Sequence, residues 1–232
     1  MAEKTGFSRR DLKGPDEFIS TFGRTVDWCR ENRSKVVAGA IGVVAVVAIT
    51  LGTRAYLQME ENKSSRDLWP TLNRAQELLQ ASSASDPSQL ATVEQFLHDH
   101  VSRHPNTRAT VYSMYYLGSI AFHRGKYDIA ISQFRAGIGT GKDAGILKYL
   151  LRQGIASSLE AKGDFEAAAA AYRDAGSVAE ADMKNQSRMG EARALGLAGK
   201  KTEAEALYRQ ILKETPETPY RDLIEIQLAQ AG

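Results

Sequence analysis

Polar and apolar positions divide the chain into stretches of different rhythm. From Pro15 the run DEFISTFGRTVDWCREN spaces Phe18, Phe22, Val26 and Cys29 three and four residues apart, with Ile19 and Trp28 beside them. That spacing predicts an amphipathic helix. Val36 to Thr53, VVAGAIGVVAVVAITLGT, then runs without a charge or a strongly polar side chain, closed by Lys35 and Arg54. Beyond Arg54 the helical period returns: Leu68, Leu72, Ala75, Leu78 and Leu79 form a stripe that predicts a helix over 54–80. SSASDP at 82–87 reads as a loop, with Asp86 and Pro87 suited to a helix start. The next helix is expected over 89–102, ended by His104-Pro105-Asn106. No strand-type alternation bounded by turn signals stands out, so the expected class is all-α. Residues 1–14 are polar and expected to be disordered.

The 36–53 run predicts a membrane span. As a helix it rises about 27 Å, close to a ~30 Å hydrocarbon core. Three glycines and many β-branched residues make a poor soluble helix. Lipid forces the backbone to satisfy its own hydrogen bonds, so the helix forms there anyway. Trp28 and Tyr56 flank the run where an aromatic belt would sit. A cleaved signal peptide would need a long charged lead, and no clean small-x-small site follows. The only cysteine, Cys29, precedes the run, which argues against a lipoprotein. Arg30, Arg33 and Lys35 lie close on one side and Arg54 alone on the other, which keeps the N-terminus cytoplasmic. The expected organisation is therefore a cytoplasmic segment over 1–35, a single span over 36–53, and a domain over 54–232 across the membrane. Ala38, Gly42 and Ala45 share a face of small residues that permits contact with another span, lipid exposure being the alternative.

The domain carries an internal repeat. Leu117-Gly118, Gly125, Tyr127, Ala130 and Phe134 are echoed by Ala156, Gly163, Phe165, Ala168 and Tyr172, and again by Ala192, Gly199, Ala204 and Tyr208. This pattern resembles tetratricopeptide (TPR) repeats. Two antiparallel helices approach closely only where the crossing residues are small. Gly118 is expected to face Ala130, Ala156 to face Ala168, and Ala192 to face Ala204, each pair closed by an aromatic. Gly125, Gly163 and Gly199 follow each first helix, where a left-handed cap is wanted. Glu191 stands in a slot usually apolar, and Lys201 replaces the aromatic after the turn, so the last repeat is expected to pack less tightly. Residues 66–104 read as a degenerate first hairpin. Pro219 to Ala231, with Leu223, Ile224, Ile226, Gln227 and Leu228, reads as the capping helix a solenoid needs.

Charge narrows the function. Residues 1–35 hold 8 Lys and Arg against 6 Asp and Glu, and the rest holds 22 of each. A neutral domain with interspersed charges argues against nucleic acid as a ligand. AGIGTGKD at 136–143 has the look of a phosphate loop. It lacks the first glycine and the hydroxyl residue after lysine, and it follows a helix, so it is expected to be a loop between repeats. His98, His100 and His104 cluster near a helix end, and a solvated terminus is expected there. No catalytic constellation, metal set or dinucleotide loop is recognisable. The chain is expected to be a non-enzyme without a cofactor or small-molecule substrate.

Repeats of this kind bind through a concave face lined by each pair's first helix. The register places Tyr112, Tyr115, Ser119 and Phe122 there, followed by Gln153, Ser157 and Glu160, and then Met189 and Arg193. Tyr and Phe suit peptide-like or unfolded ligands. The alternative is that some of these aromatics are core. The Lys/Asn set that clamps a C-terminal carboxylate in some such repeats is absent, since Tyr115 and Ser119 hold those places.

The layout as a whole, a basic N-terminus, one span and a repeat domain ending in PYRDLIEIQLAQ, resembles the YfgM-like family of ancillary translocon subunits. That resemblance implies a bacterial inner-membrane protein with a periplasmic domain. It also implies association with the SecYEG translocon and a PpiD-like periplasmic chaperone in the traffic of secreted proteins. A second possible role is an adaptor coordinating envelope assembly or cell division.

Overall fold

The computed structural model describes residues 14–80, 87–142 and 145–231; the expectations for 1–13 and for the loop at 82–86 lie outside them. Ten helices are described, with no strand among the described residues: α1 (Gly14–Glu31), α2 (Arg33–Gln80), α3 (Pro87–Arg103), α4 (Arg108–His123), α5 (Tyr127–Gly139), α6 (Leu147–Lys162), α7 (Phe165–Ser177), α8 (Ala181–Leu197), α9 (Lys201–Glu214) and α10 (Arg221–Ala231). The chain divides into two units, Met1–Leu57 and Gln58–Gly232.

The first unit holds α1 and the beginning of α2. Only Asn32 separates them. Its N–H reaches the Trp28 carbonyl at 2.9 Å and its own carbonyl accepts from Val36 at 3.0 Å, so helical bonding scarcely pauses. Helix α2 contains a stretch long and apolar enough to cross a membrane, none of it buried within the chain. Ile41 and Ile49, for example, are about two-thirds exposed. The Thr50 and Thr53 hydroxyls donate to the Val46 and Ile49 carbonyls at 2.7 and 2.8 Å. These bonds leave neither hydroxyl requiring a partner outside the helix.

In the second unit three buried clusters follow one another along the chain. Leu68, Leu72, Ala75 and Leu78 of α2 pack with Val93 and Leu97 of α3 and with Ala109, Leu117 and Ile120 of α4. The α2 stripe thus buries as its spacing predicts. Val111, Ala121, Ala130, Phe134, Leu147 and Leu151 form the middle cluster. The third joins Ala156, Ala168 and Tyr172 to Ala192, Tyr208 and Ile211, and is closed by Ile224 of α10. Pro70 sits inside α2, where it supplies no N–H for the Arg66 carbonyl.

The turn glycines hold the positive φ their positions require: 70° at Gly125, 88° at Gly163 and 81° at Gly199. The small residues at the helix crossings are buried, with Ala130, Ala156, Ala168 and Ala192 fully inaccessible. The aromatics do more than close each pair. A Cβ on Gly118 would collide with the Phe134 ring, so the glycine makes room for the ring itself. The same ring would lie 2.6 Å from a Cβ on Gly154, and Tyr172 would lie 2.7 Å from one on Gly190. Phe134 and Tyr172 therefore each join their own hairpin to the first helix of the next.

Two expectations change. The last repeat buries Tyr208 and Ile211 as the others bury their equivalents. Glu191 is compatible with this packing because Arg173 donates to its Oε1 at 2.7 Å, so the buried carboxylate is paired. In AGIGTGKD, Ala136–Gly139 form the last turn of α5, with Thr140 as its C-cap. A helix C-terminus presents carbonyls rather than N–H groups, the wrong polarity for a phosphate.

Candidate binding groove

Helices α4 and α6 are the first helices of successive hairpins. Their facing residues Tyr115, Ser119, Phe122, Gln153 and Ser157 line one open groove, together with His123, Phe134, Leu150 and Gly154. The Tyr115 and Phe134 rings stand 6.1 Å apart and tilted, so the floor is aromatic. Ser119 donates to the Tyr115 carbonyl at 2.9 Å, and Ser157 Oγ lies 3.3 Å from Tyr172 Oη. Gln153 Oε1 is buried without a hydrogen-bond partner among the described residues. The groove thus offers aromatic faces.

The other residues placed on the concave face by the repeat register have different surroundings. Tyr112 lines a separate groove with Leu68, Trp69, Leu72, Arg108 and Ala109, its ring 6.5 Å from that of Trp69. Met189 is a correction: it is buried in the third cluster, beside the Gly190 against which Tyr172 packs. Glu160 and Arg193 bond to each other. Arg193 Nε and Nη2 reach the two Glu160 oxygens at 2.7 Å each, a bidentate pair. Tyr172 Oη donates to Glu160 Oε2 at 2.6 Å. Burial disfavours the Glu160 carboxylate, but the Arg193 and Tyr172 hydrogen bonds outweigh it and hold the pKa below its ordinary value. Burial and the bond to Glu160 push Tyr172 up to about 12. The Arg193 guanidinium is likewise held charged, first by its bond to Glu160. In the first unit, Ala38, Gly42 and Ala45 are exposed, and nothing lies within 4 Å of a Cβ built on Gly42.

The histidine cluster is a second correction. His98 is exposed as expected, but His100 is fully buried and His104 nearly so. Their partners Glu60, Ser64 and Asp67 come from α2, which is distant in sequence. Among the described residues no three His, Cys, Asp or Glu side chains converge to hold a metal ion. Sequence reasoning also missed Trp69, Gly154 and Gly190. A glycine on the first helix of the next hairpin, after both Phe134 and Tyr172, was the available signal.

The tetratricopeptide repeat-like domain family matches residues 27–232. No curated protein matches the chain. Crystal structures of the nearly identical TPR-like repeats of a Podosopora anserina protein described as a kinesin light chain superpose with a TM-score of 0.59 at 17% identity. They cover 72% of this chain and 86% of that one, and a singly substituted form of the same protein gives the same TM-score and identity over 85% of its length. The likeness is one of fold.

Proposed function

From the premise that the chain belongs to the tetratricopeptide repeat-like domain family, we propose that it is a membrane-anchored scaffold that receives protein partners in the α4–α6 groove. The repeat fold is that of a protein–protein interaction scaffold, typically non-catalytic. The observation that carries the reading is the convergence of Tyr115, Phe122 and Phe134 with Gln153 and Ser157 on one open groove between hairpins. Aromatic walls contribute large contact area to an apolar peptide side chain at low entropic cost.

The unburied apolar stretch of α2 supports a single span, and the flanking charges support an N-terminus in the cytoplasm. A span raises the effective concentration of the scaffold near partners in the same membrane. The layout it shares with the YfgM-like family makes the SecYEG translocon and a PpiD-like chaperone at the periplasmic face of a bacterial inner membrane the partners to seek. A photo-reactive residue at Tyr115 tests this in cells. Cross-links to translocon, chaperone or secreted chains are expected. Their absence at Tyr115, with the protein present in membranes, would refute the assignment.

A further inference from the structure

Where α2, α3 and α4 meet, a cluster of polar side chains is shut away from water, apart from the groove of Tyr115. His100 is its centre and is fully inaccessible. Its Nε2 lies 3.1 Å from both the Ser64 carbonyl and Ser64 Oγ, and its Nδ1 lies 2.8 Å from Ser113 Oγ. A carbonyl only accepts, so Nε2 carries the proton and Nδ1 accepts from Ser113. The neutral ring satisfies this geometry with both nitrogens engaged. Ser64 Oγ is also 2.8 Å from Thr107 Oγ1, which lies 3.0 Å from Thr110 Oγ1. One ring thus ties α2 to α4 from its seat on α3.

The surrounding charges decide what a second proton would do. Helix α2 presents Glu60 and Asp67, α3 presents Arg103, and His104 follows directly after α3. The loop before α4 and α4 itself present the neutral hydroxyls of Thr107, Thr110 and Ser113. Glu60 is committed to His104, its Oε1 2.6 Å from Nδ1, and the two imidazoles stand 5.0 Å apart. Burial opposes a charge on His100, and Arg103 and His104 add to it. The Ser64 carbonyl and Asp67 favour the charge, but the balance falls below the ordinary value of 6.5. Protonating Nδ1 would also remove the acceptor that Ser113 uses.

We propose that His100 is an acid-sensitive latch, closed when neutral, that fastens the 60–72 stretch of α2 onto α3 and α4. The closed state binds fewer protons than the open one. Its hold is therefore complete above pH 6.5 and weakens as pH falls below it. Leu68, Trp69 and Leu72 of that stretch form the groove that includes Tyr112. Opening the latch dismantles that groove and leaves the groove of Tyr115 in place.

Hydrogen exchange on the full-length protein in non-ionic detergent tests this at pH 7.5 and pH 5.0, corrected for intrinsic exchange rates. Protection in 60–72 and 97–113 should fall by up to about tenfold per pH unit below the ordinary histidine value, while α6 to α9 hold theirs. His100→Gln keeps a donor and an acceptor but cannot titrate, and it should remove the difference. An even loss across α6 to α9, no loss, or the same loss in the variant would overturn the latch. If His100→Gln does not fold, NMR titration of the wild-type imidazoles decides. A His100 midpoint below 6.5 that coincides with loss of α2 protection supports the latch. A midpoint at or above 6.5, or protection that persists through it, refutes it.

Discussion

The Phe134 ring occupies the space that a side chain on Gly154 would need, 2.6 Å from where its Cβ would stand. On propensity alone Gly154→Ala within α6 should stabilise by about 1 kcal/mol. The ring is 2% exposed and is held from the other side by Gly118, so it has no room to retreat. Overpacking a fitted core costs about 1–3 kcal/mol and outweighs propensity. Gly154→Ala is therefore expected to lower the melting temperature of the full-length protein in detergent, and a rise would contradict the packing. Gly190→Ala, against Tyr172, should behave alike.

Ala168→Trp tests the crossing of α6 and α7. Ala168 is fully buried in the third cluster with Ala156, and there is no exposed side onto which an indole could turn. Destabilisation of about 3 kcal/mol or more is expected, at or above the upper end for overpacking. Urea denaturation followed by circular dichroism would read it, and an unchanged midpoint would show the register to be wrong.

These two sites differ in how readable they are. Ala168 is legible because close helix crossings demand small residues and the repeat supplies three such pairs in register. Gly154 is not, because its partner Phe134 belongs to the preceding hairpin and no rule within one repeat links them. The same limit explains the histidines. Residues 98–104 look like a polar helix end until Ser64, 36 residues earlier than His100, is brought against the ring. Glu191 reads as a misfit in its slot because its counter-charge, Arg173, lies on another helix. The register assigns Met189 to the concave face, but the approach of Tyr172 to Gly190 places it in the core. Sequence periodicity reveals the pairing within each hairpin, and the contacts between hairpins decide which side chains remain free to bind.

Tyr172 supplies a spectroscopic check of the link between α6, α7 and α8. Its hydroxyl donates to Glu160, and burial together with that bond pushes its pKa up to about 12 from 10. The folded state keeps its proton where the unfolded chain loses it. This contribution to stability is complete below pH 10 and is lost as pH rises toward 12. Absorbance titration of wild type against Tyr172→Phe should show one phenol missing from the high-pH phase in the variant. A missing phenol near the ordinary pH 10 would mean that the bond to Glu160 is not made in solution.

Glu160 sets the opposite dependence. Burial raises its pKa, but the hydrogen bonds from Arg193 and Tyr172 bring it below the ordinary 4.5. The unfolded chain takes up the proton first, so stability from this group is present above pH 4.5 and declines as pH falls below it. Glu160→Gln should flatten that part of the stability profile and destabilise the protein at neutral pH, because Arg193 loses its charged partner. Equal acid sensitivity in the variant would show that other carboxylates dominate.

Binding in the α4–α6 groove should depend on its aromatics unequally. Phe134 is buried between two glycines and supports the fold, whereas Tyr115 and Phe122 are only partly buried and can be truncated with less damage. Truncating an anchor that is desolvated on binding costs about 2 kcal/mol or more, a loss of roughly thirtyfold in affinity. Phe122→Ala and Tyr115→Ala should each weaken capture of the partner cross-linked at Tyr115 by that order. Ile129→Ala, half-exposed on α5 and not among the groove residues, should leave capture unchanged. Partner recovery from detergent-solubilised membranes, normalised to folded protein by circular dichroism, separates the cases. Equal recovery by all three variants would place the partner elsewhere on the solenoid.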